Sequence, residues 1–247
     1  MEGRPTPEEE LRDAVRLMRV LLAGNRELGL DPPAVSAPVL ESLERKPPAA
    51  NGLSGEAGGA RTLDELRAIL GDCRRCPLHT GRNRLVFGEG NLRADLLFVG
   101  EGPGGDEDRT GRPFVGEAGR LLTRIINAMG LSRSDVYICN VVKCRPPRNR
   151  NPEGLEIAAC RPFLERQIDL VKPKVICTLG RVAGEELLGK TFSVTRDRGA
   201  WFEYRGVPVM PTFHPAYLLR NPAAKRNVWE DVQKIMKRLA QGGGNHG

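Results

Sequence analysis

The 247-residue chain is 40% hydrophobic and 28% charged, with a formal net charge of +7, a balance that fits a water-soluble globule with room for one sizeable domain and an appendage. No run approaches the roughly 18 apolar residues of a spanning helix, and the acidic start "MEGRPTPEEELRD" lacks the basic n-region of an export signal. The chain reads as cytoplasmic, with no membrane partner. Its six cysteines then argue for metal ligation or plain burial rather than a disulfide framework.

In chain order, Thr6-Pro7-Glu8-Glu9 opens a helix with a capping box and a proline at the first helical position. Leu11, Val15, Met18 and Leu22 then share one face, so residues 1–30 are expected to form an N-terminal helix, a docking or tethering element. Residues 31–61 read as a flexible, disordered linker: the stretch from Asp31 to Ala60 holds 5 Pro and 4 Gly. Folded structure is expected over 62–241, with a disordered tail at 242–247. It starts at the capping box of "TLDELRAIL" (Thr62, Glu65) and runs through alternating extended and helical patterns.

"ADLLFVG", "DVYICNVV", "KVICTLG" and "VPVMPTFHP" read as strands, and "EAGRLLTRIINAMG", "RVAGEELLG" and "AKRNVWEDVQKIMKRLA" as helices. A further helix starting near Pro152 is expected to be interrupted at Pro162. This alternation predicts an α/β fold: three α/β/α layers around a mostly parallel central sheet of about four strands. Such sheets bind ligands beyond the carboxyl ends of their strands, which directs attention to the loops after Val99, Val142, Leu179 and Pro211.

Charge is unevenly placed. Residues 1–62 hold 8 Lys and Arg against 10 Asp and Glu, leaving +9 for the rest, an excess that favours a polyanionic partner. The loop "VGEGPGGDEDRTGRPFVGEAG" contains G-x-G-x-x-G at Gly100, Gly102 and Gly105. In a dinucleotide site those glycines open directly onto a helix N-terminus, whereas here Pro103 and the acids Asp106, Glu107 and Asp108 intervene and would repel a phosphate. Glycines also admit a ligand close to the backbone, and Phe114 offers a flat face, a combination suited to a planar, uncharged ring.

"GEGPGGDEDRTGRPFVG", "NVVKCRPPRNRNP" and "HPAYLLRNP", in this order and downstream of "CRRC", resemble the family 4, iron-sulfur uracil-DNA glycosylases of thermophile type. The resemblance covers roughly residues 63–240 and departs in one place, where Gly102 stands for the family's usual Ala. It implies base excision repair chemistry: uracil is flipped out of DNA, its N-glycosidic bond is hydrolysed, and an abasic site remains.

By this resemblance Cys73, Cys76, Cys144 and Cys160 hold a structural [4Fe-4S] cluster that clamps the site without a redox step. Spacing alone leaves a four-cysteine zinc site open. Cys139 and Cys177, inside apolar runs, read as core, and His79 as solvated or phosphate-facing.

The resemblance also assigns roles at the site. Asn140 reads the uracil edge, accepting from N3-H and donating to O4; Phe114 stacks on the ring; Glu107 fills the space beside C5 against thymine. His214 donates to O2 as charge builds there, helped by the Gly102 backbone N-H beside Pro103. Glu101 orients the water or buttresses its loop. Lys143, Arg145, Arg148, Arg150 and Arg220 are expected to hold phosphates, and Leu218 or Leu219 to wedge into the vacated stack. The expected partner is uracil-containing DNA, bound by a monomer, with a replication or repair protein as a candidate partner for the N-terminal extension. The alternative is a non-catalytic iron-sulfur or zinc module that binds nucleic acid, which accounts for the charge and the cysteines but not for the glycine loop, Phe114 and His214 together.

Overall fold

The computed structural model describes residues 56–189 and 191–242. The N-terminal helix, most of the linker and the tail expected from the sequence lie outside these residues. The linker reading fails at its end: residues 56–59 are helical, Ala57 and Ala60 are 1% exposed, and the Ala60 carbonyl accepts from the Arg166 guanidinium.

Four strands form the parallel centre of the sheet: β2 (Leu96–Gly100), β3 (Tyr137–Asn140), β4 (Val175–Leu179) and β6 (Val207–Thr212). They are the four apolar runs of the sequence. Two short antiparallel edge strands, β1 (Glu89–Gly90) and β5 (Phe202–Tyr204), extend the sheet to six in the order β1-β3-β2-β4-β6-β5. Because side chains alternate along a strand, Leu97, Val99, Tyr137, Cys139, Ile176 and Val209 face one layer. Leu96, Phe98, Ile138, Val175, Cys177 and Met210 face the other.

The first layer is built by α1 (Leu63–Leu70), α4 (Gly154–Val171) and α5 (Arg181–Leu188), and the second by α3 (Glu117–Ala128), α7 (Pro215–Arg220) and α8 (Lys225–Gly242). Two helices correct the sequence reading. Helix α4 runs through Pro162 without a break. The proline forfeits one backbone bond, but Cys160, Phe163, Leu164, Gln167, Ile168 and Val171 are buried along the same helix, and that packing holds both halves in line.

The acidic loop also contains a short helix, α2 (Gly105–Thr110). Its start is fixed by Glu107, whose Oε2 accepts from the Gly104 N-H (3.1 Å) as in a capping box, and by the buried Asp108, which accepts from the Asn83 N-H (2.8 Å) and Asn83 Nδ2 (2.5 Å). A four-residue helix, α6 (Val194–Asp197), precedes β5. Cys139 and Cys177 are fully buried in their strands, as read from the sequence.

Candidate active site

A cavity of about 410 Å³ opens at the carboxyl ends of β2, β3 and β6. Glu101, Gly102, Pro103 and Gly104 form the wall after β2; Asn140, Pro146, Asn149 and Arg150 the wall after β3; His214, Tyr217 and Arg220 the wall after β6; Phe114 also lines it. The loop after β4 contributes packing rather than lining: Gly180, at φ +90°, lets the His214 side chain approach to 3.1 Å of where a Cβ would stand.

Asn140 ends β3, paired with Gly100 of β2, and is 1% exposed. Its side-chain Oδ1 is buried without a hydrogen-bond partner among the described residues. Buried polar atoms are nearly always satisfied, so an orphan on a residue that lines a cavity points to a donor on the ligand.

Phe114 sits beside it in the left-handed region (φ +50°), a conformation that costs a bulky residue energy and survives only where its surroundings over-determine it. They do so here. The Arg133 guanidinium donates to the carbonyls of Pro113 (2.7 Å) and Phe114 (3.0 Å) and to Glu89 Oε1 (2.5 Å). Gly119 leaves the space that the Phe114 backbone occupies.

Gly100 makes the juxtaposition possible, since a Cβ there would lie 2.5 Å from both Asn140 Oδ1 and Phe114 Cζ. Gly100→Ala is therefore expected to displace the ring or the amide and to abolish ligand binding in the cavity, which crystallography of the variant and a binding titration would check.

His214 caps α7: its Nδ1 accepts the Ala216 N-H at 3.1 Å. That bond fixes the tautomer, because an occupied Nδ1 lone pair leaves the ring proton on Nε2. Burial, aided by the positive charge of Arg220 and opposed by Glu107, pushes the imidazole pKa down to about 4. The ring is therefore neutral at physiological pH with its proton on Nε2, and His214 lines the cavity with its ring centroid 5.6 Å from that of Phe114.

Glu101 is held above the usual carboxylate range by burial, with Arg181 pulling the other way. Among the described residues its carboxylate has no hydrogen bond or ion pair. Glu107 is spent on the backbone: besides Gly104, it accepts from the N-H groups of Val115 (2.8 Å) and Gly116 (2.9 Å). It lines the cavity while locking the loop that carries Phe114.

Two of the residues expected at the DNA face are elsewhere. Lys143 is 0% exposed, its ammonium bonded to the Asn140 carbonyl and Gln167 Oε1; it cannot reach a phosphate. Leu218 is 1% exposed and packs in the second core layer, so it is no wedge, whereas Leu219 is 39% exposed.

Arg148 and Arg220 are exposed and Arg145 half-buried. Arg150 lines the cavity, but its guanidinium is paired with the buried Glu156 (2.6 and 2.8 Å). His79 is half-buried with Nδ1 2.8 Å from the Cys76 carbonyl oxygen. Tyr217, not singled out in the sequence, lines the cavity and stacks on Phe213 at 4.8 Å; its place two residues from Pro215 on a one-turn helix was the available signal.

Cys73, Cys144 and Cys160 belong to the first core layer and Cys76 packs against it. Burial, the largest influence, pushes Cys144 up to about 11 and Cys160 up to about 12, while neighbouring cysteines including Cys76 add to the rise in both. The Arg82 guanidinium donates to Cys144 Sγ at 3.3 Å. Among the described residues, no three Cys, His, Asp or Glu side chains are drawn to the spacing of a single ion's ligands.

The chain belongs to the uracil DNA glycosylase superfamily, whose family model matches residues 87–233. Within that superfamily its likeness is to the type-4 branch. It is 51% identical over 181 residues to a type-4 uracil-DNA glycosylase of Thermotoga maritima, covering 70% of this chain and 94% of the relative. To the type-4 uracil-DNA glycosylase of Sulfurisphaera tokodaii it is 46% identical, covering 70% and 83%. A type-5 uracil-DNA glycosylase of Pyrobaculum aerophilum is 32% identical, with 63% and 75% covered.

Proposed function

We propose that this cavity receives a uracil flipped out of DNA and that the enzyme hydrolyses its N-glycosidic bond, releasing free uracil and leaving an abasic site. The observation that carries the reading is the orphaned Asn140 Oδ1, on a residue that lines the same cavity as a neutral His214 and the Phe114 ring. Uracil presents an N3-H donor between two carbonyl acceptors, which complements an amide with a free oxygen. Cytosine has an acceptor at N3 and would leave Oδ1 buried against a lone pair, so it is rejected.

As the bond to C1′ breaks, the pair of electrons goes to the base and negative charge collects on O2. His214 meets that charge as a preorganised hydrogen-bond donor through Nε2-H, and the Gly102 backbone N-H beside Pro103 adds a second dipole. Phe114 stacks on the ring, a contact worth roughly 1–3 kcal/mol on comparable platforms. Glu101 orients the water that adds to C1′ of the oxocarbenium-like sugar, while Glu107 closes the wall on the side where a 5-methyl group would stand. Among the described residues no lysine borders the cavity, and the reading is of a monofunctional hydrolase without strand cleavage. Arg145, Arg148 and Arg220 hold backbone phosphates around the mouth, and Leu219 fills the gap left in the base stack.

Cys73, Cys76, Cys144 and Cys160 would hold a [4Fe-4S] cluster. The fit rests on donor chemistry: four thiols gathered on one side of the core, with Arg82 donating to one of them, match the four-thiolate set such a cluster takes. When bound, the cluster supplies a cross-link between the segment before β1 and helix α4, and no electron transfer is needed in the reaction. The protein is read as a cytoplasmic monomer, and residues 1–55 as the place where a repair or replication partner docks.

The test is release of free uracil from a uracil-containing oligonucleotide, with alkali-sensitive nicking at the same position and none in a thymine control. Absence of both in purified, iron-replete protein overturns the reading.

A further inference from the structure

A fully buried ammonium is expensive unless every neighbour answers it, and Lys143 is one of the largest fully buried side chains of the protein. Its surroundings explain the expense. Among the described residues, strand β1 covers β3 only at Ile138 and Tyr137, so on that edge Asn140, the last residue of β3, has no strand partner there. Lys143 takes the vacant place. Its Nζ donates to the Asn140 carbonyl at 2.6 Å and to Gln167 Oε1 at 2.6 Å. Gln167 Nε2 in turn donates to the Phe87 carbonyl (2.8 Å) and the Tyr137 hydroxyl (3.3 Å).

The backbone of the same residue is also tied. Its carbonyl accepts the Val86 N-H at 2.8 Å. Lys143 thus joins three things: the end of β3, the middle of α4 through Gln167, and, through its chain neighbour Cys144, the cysteine-bearing part of the first core layer.

The geometry points to Lys143 as the positioning residue for base recognition. By anchoring the Asn140 carbonyl it fixes the peptide plane from which the amide reaches the cavity, and it transmits the rigidity of the cysteine frame to that amide. This inference rests on the reading of Asn140 as the group that meets the base. A displacement on the order of 1 Å in such a group costs on the order of 10²-fold in rate, so a residue that touches no substrate can still control turnover.

The experiment is a double-mutant cycle in the full-length, iron-replete protein, using Lys143→Met, Asn140→Ala and the two combined. Lys143→Met is expected to lower kcat for uracil release about 10²-fold while KM for the oligonucleotide stays within about threefold and iron content is unchanged. If Lys143 acts through Asn140, the combined variant is no slower than Asn140→Ala alone, within about threefold. A Lys143→Met enzyme that keeps the wild-type rate beside a slow Asn140→Ala overturns the role of Lys143 alone, as do losses that multiply in the combined variant. An Asn140→Ala enzyme that keeps the wild-type rate overturns the base-reading role and this inference with it. Should Lys143→Met fail to fold, Gln167→Leu enters the same cycle. A loss of about tenfold absorbed by Asn140→Ala supports the inference, and a multiplying loss overturns it.

Discussion

Replacing His214 with alanine is expected to slow uracil release about 10²- to 10³-fold, the usual cost of removing one donor from a site where negative charge develops. Alanine also removes the cap of α7, worth about 1 kcal/mol, so part of the loss would be structural. His214→Asn separates the two: its short side chain can still accept from the Ala216 N-H but cannot extend a donor as far as Nε2. The Asn variant should regain the thermal midpoint and stay slow, and a variant that regains both would remove His214 from the chemistry.

The lowered pKa of His214 adds a pH signature. With a folded-state pKa of about 4 against about 6.5 when unfolded, the imidazole binds more protons in the unfolded chain between those values. Its contribution to stability is complete above pH 6.5 and is lost as pH falls toward 4. Uracil release should show no inflection near pH 6.5. The first acid limb should instead belong to Glu101, whose pKa burial raises above the ordinary carboxylate value, and Glu101→Gln should flatten it. An inflection near 6.5 that survives Glu101→Gln and disappears in His214→Asn would mean that the imidazole works as a cation.

Asn140→Ala is expected to cost at least 10²-fold in uracil release, because a site built to exchange hydrogen bonds with a base loses most of its discrimination when one partner goes. The same substitution should be nearly free in stability, within about 1 kcal/mol, since the oxygen removed is buried without a partner and an unpaired buried acceptor is itself a liability. A large fall in thermal midpoint would show that the amide belongs to the scaffold. The paired measurement, rate down and midpoint held, is what sets a recognition group apart from a packing group.

The central sheet was legible because β2, β3, β4 and β6 are continuous apolar runs ended by glycine or polar residues, the pattern of strands covered on both faces. The edge strands were not: Glu89–Gly90 is two residues long and Phe202–Tyr204 three, too short for any alternation to register. Helix α2 escaped for a different reason. "GDEDRT" has no apolar periodicity, and its fold depends on Asp108 reaching Asn83, 25 positions upstream.

At the site, Phe114, Asn140 and His214 were named from motif resemblance, and all three border one cavity. Lys143 and Leu218 show where that reasoning fails. Charge alone placed the lysine outside, but its acceptor on Gln167 lies 24 positions away. Nothing in "AYLLR" tells which leucine of a single helical turn faces inward.

The grip of Arg133 on the carbonyls of Pro113 and Phe114 reaches the sheet margin through Glu89, which Arg112 also holds (2.8 Å). The pose of the Phe114 ring is therefore fixed in part from the sheet edge, by a residue that does not line the cavity. Exchanges at Glu89 would detune the aromatic surface while every group in contact with the nucleotide stayed as it was.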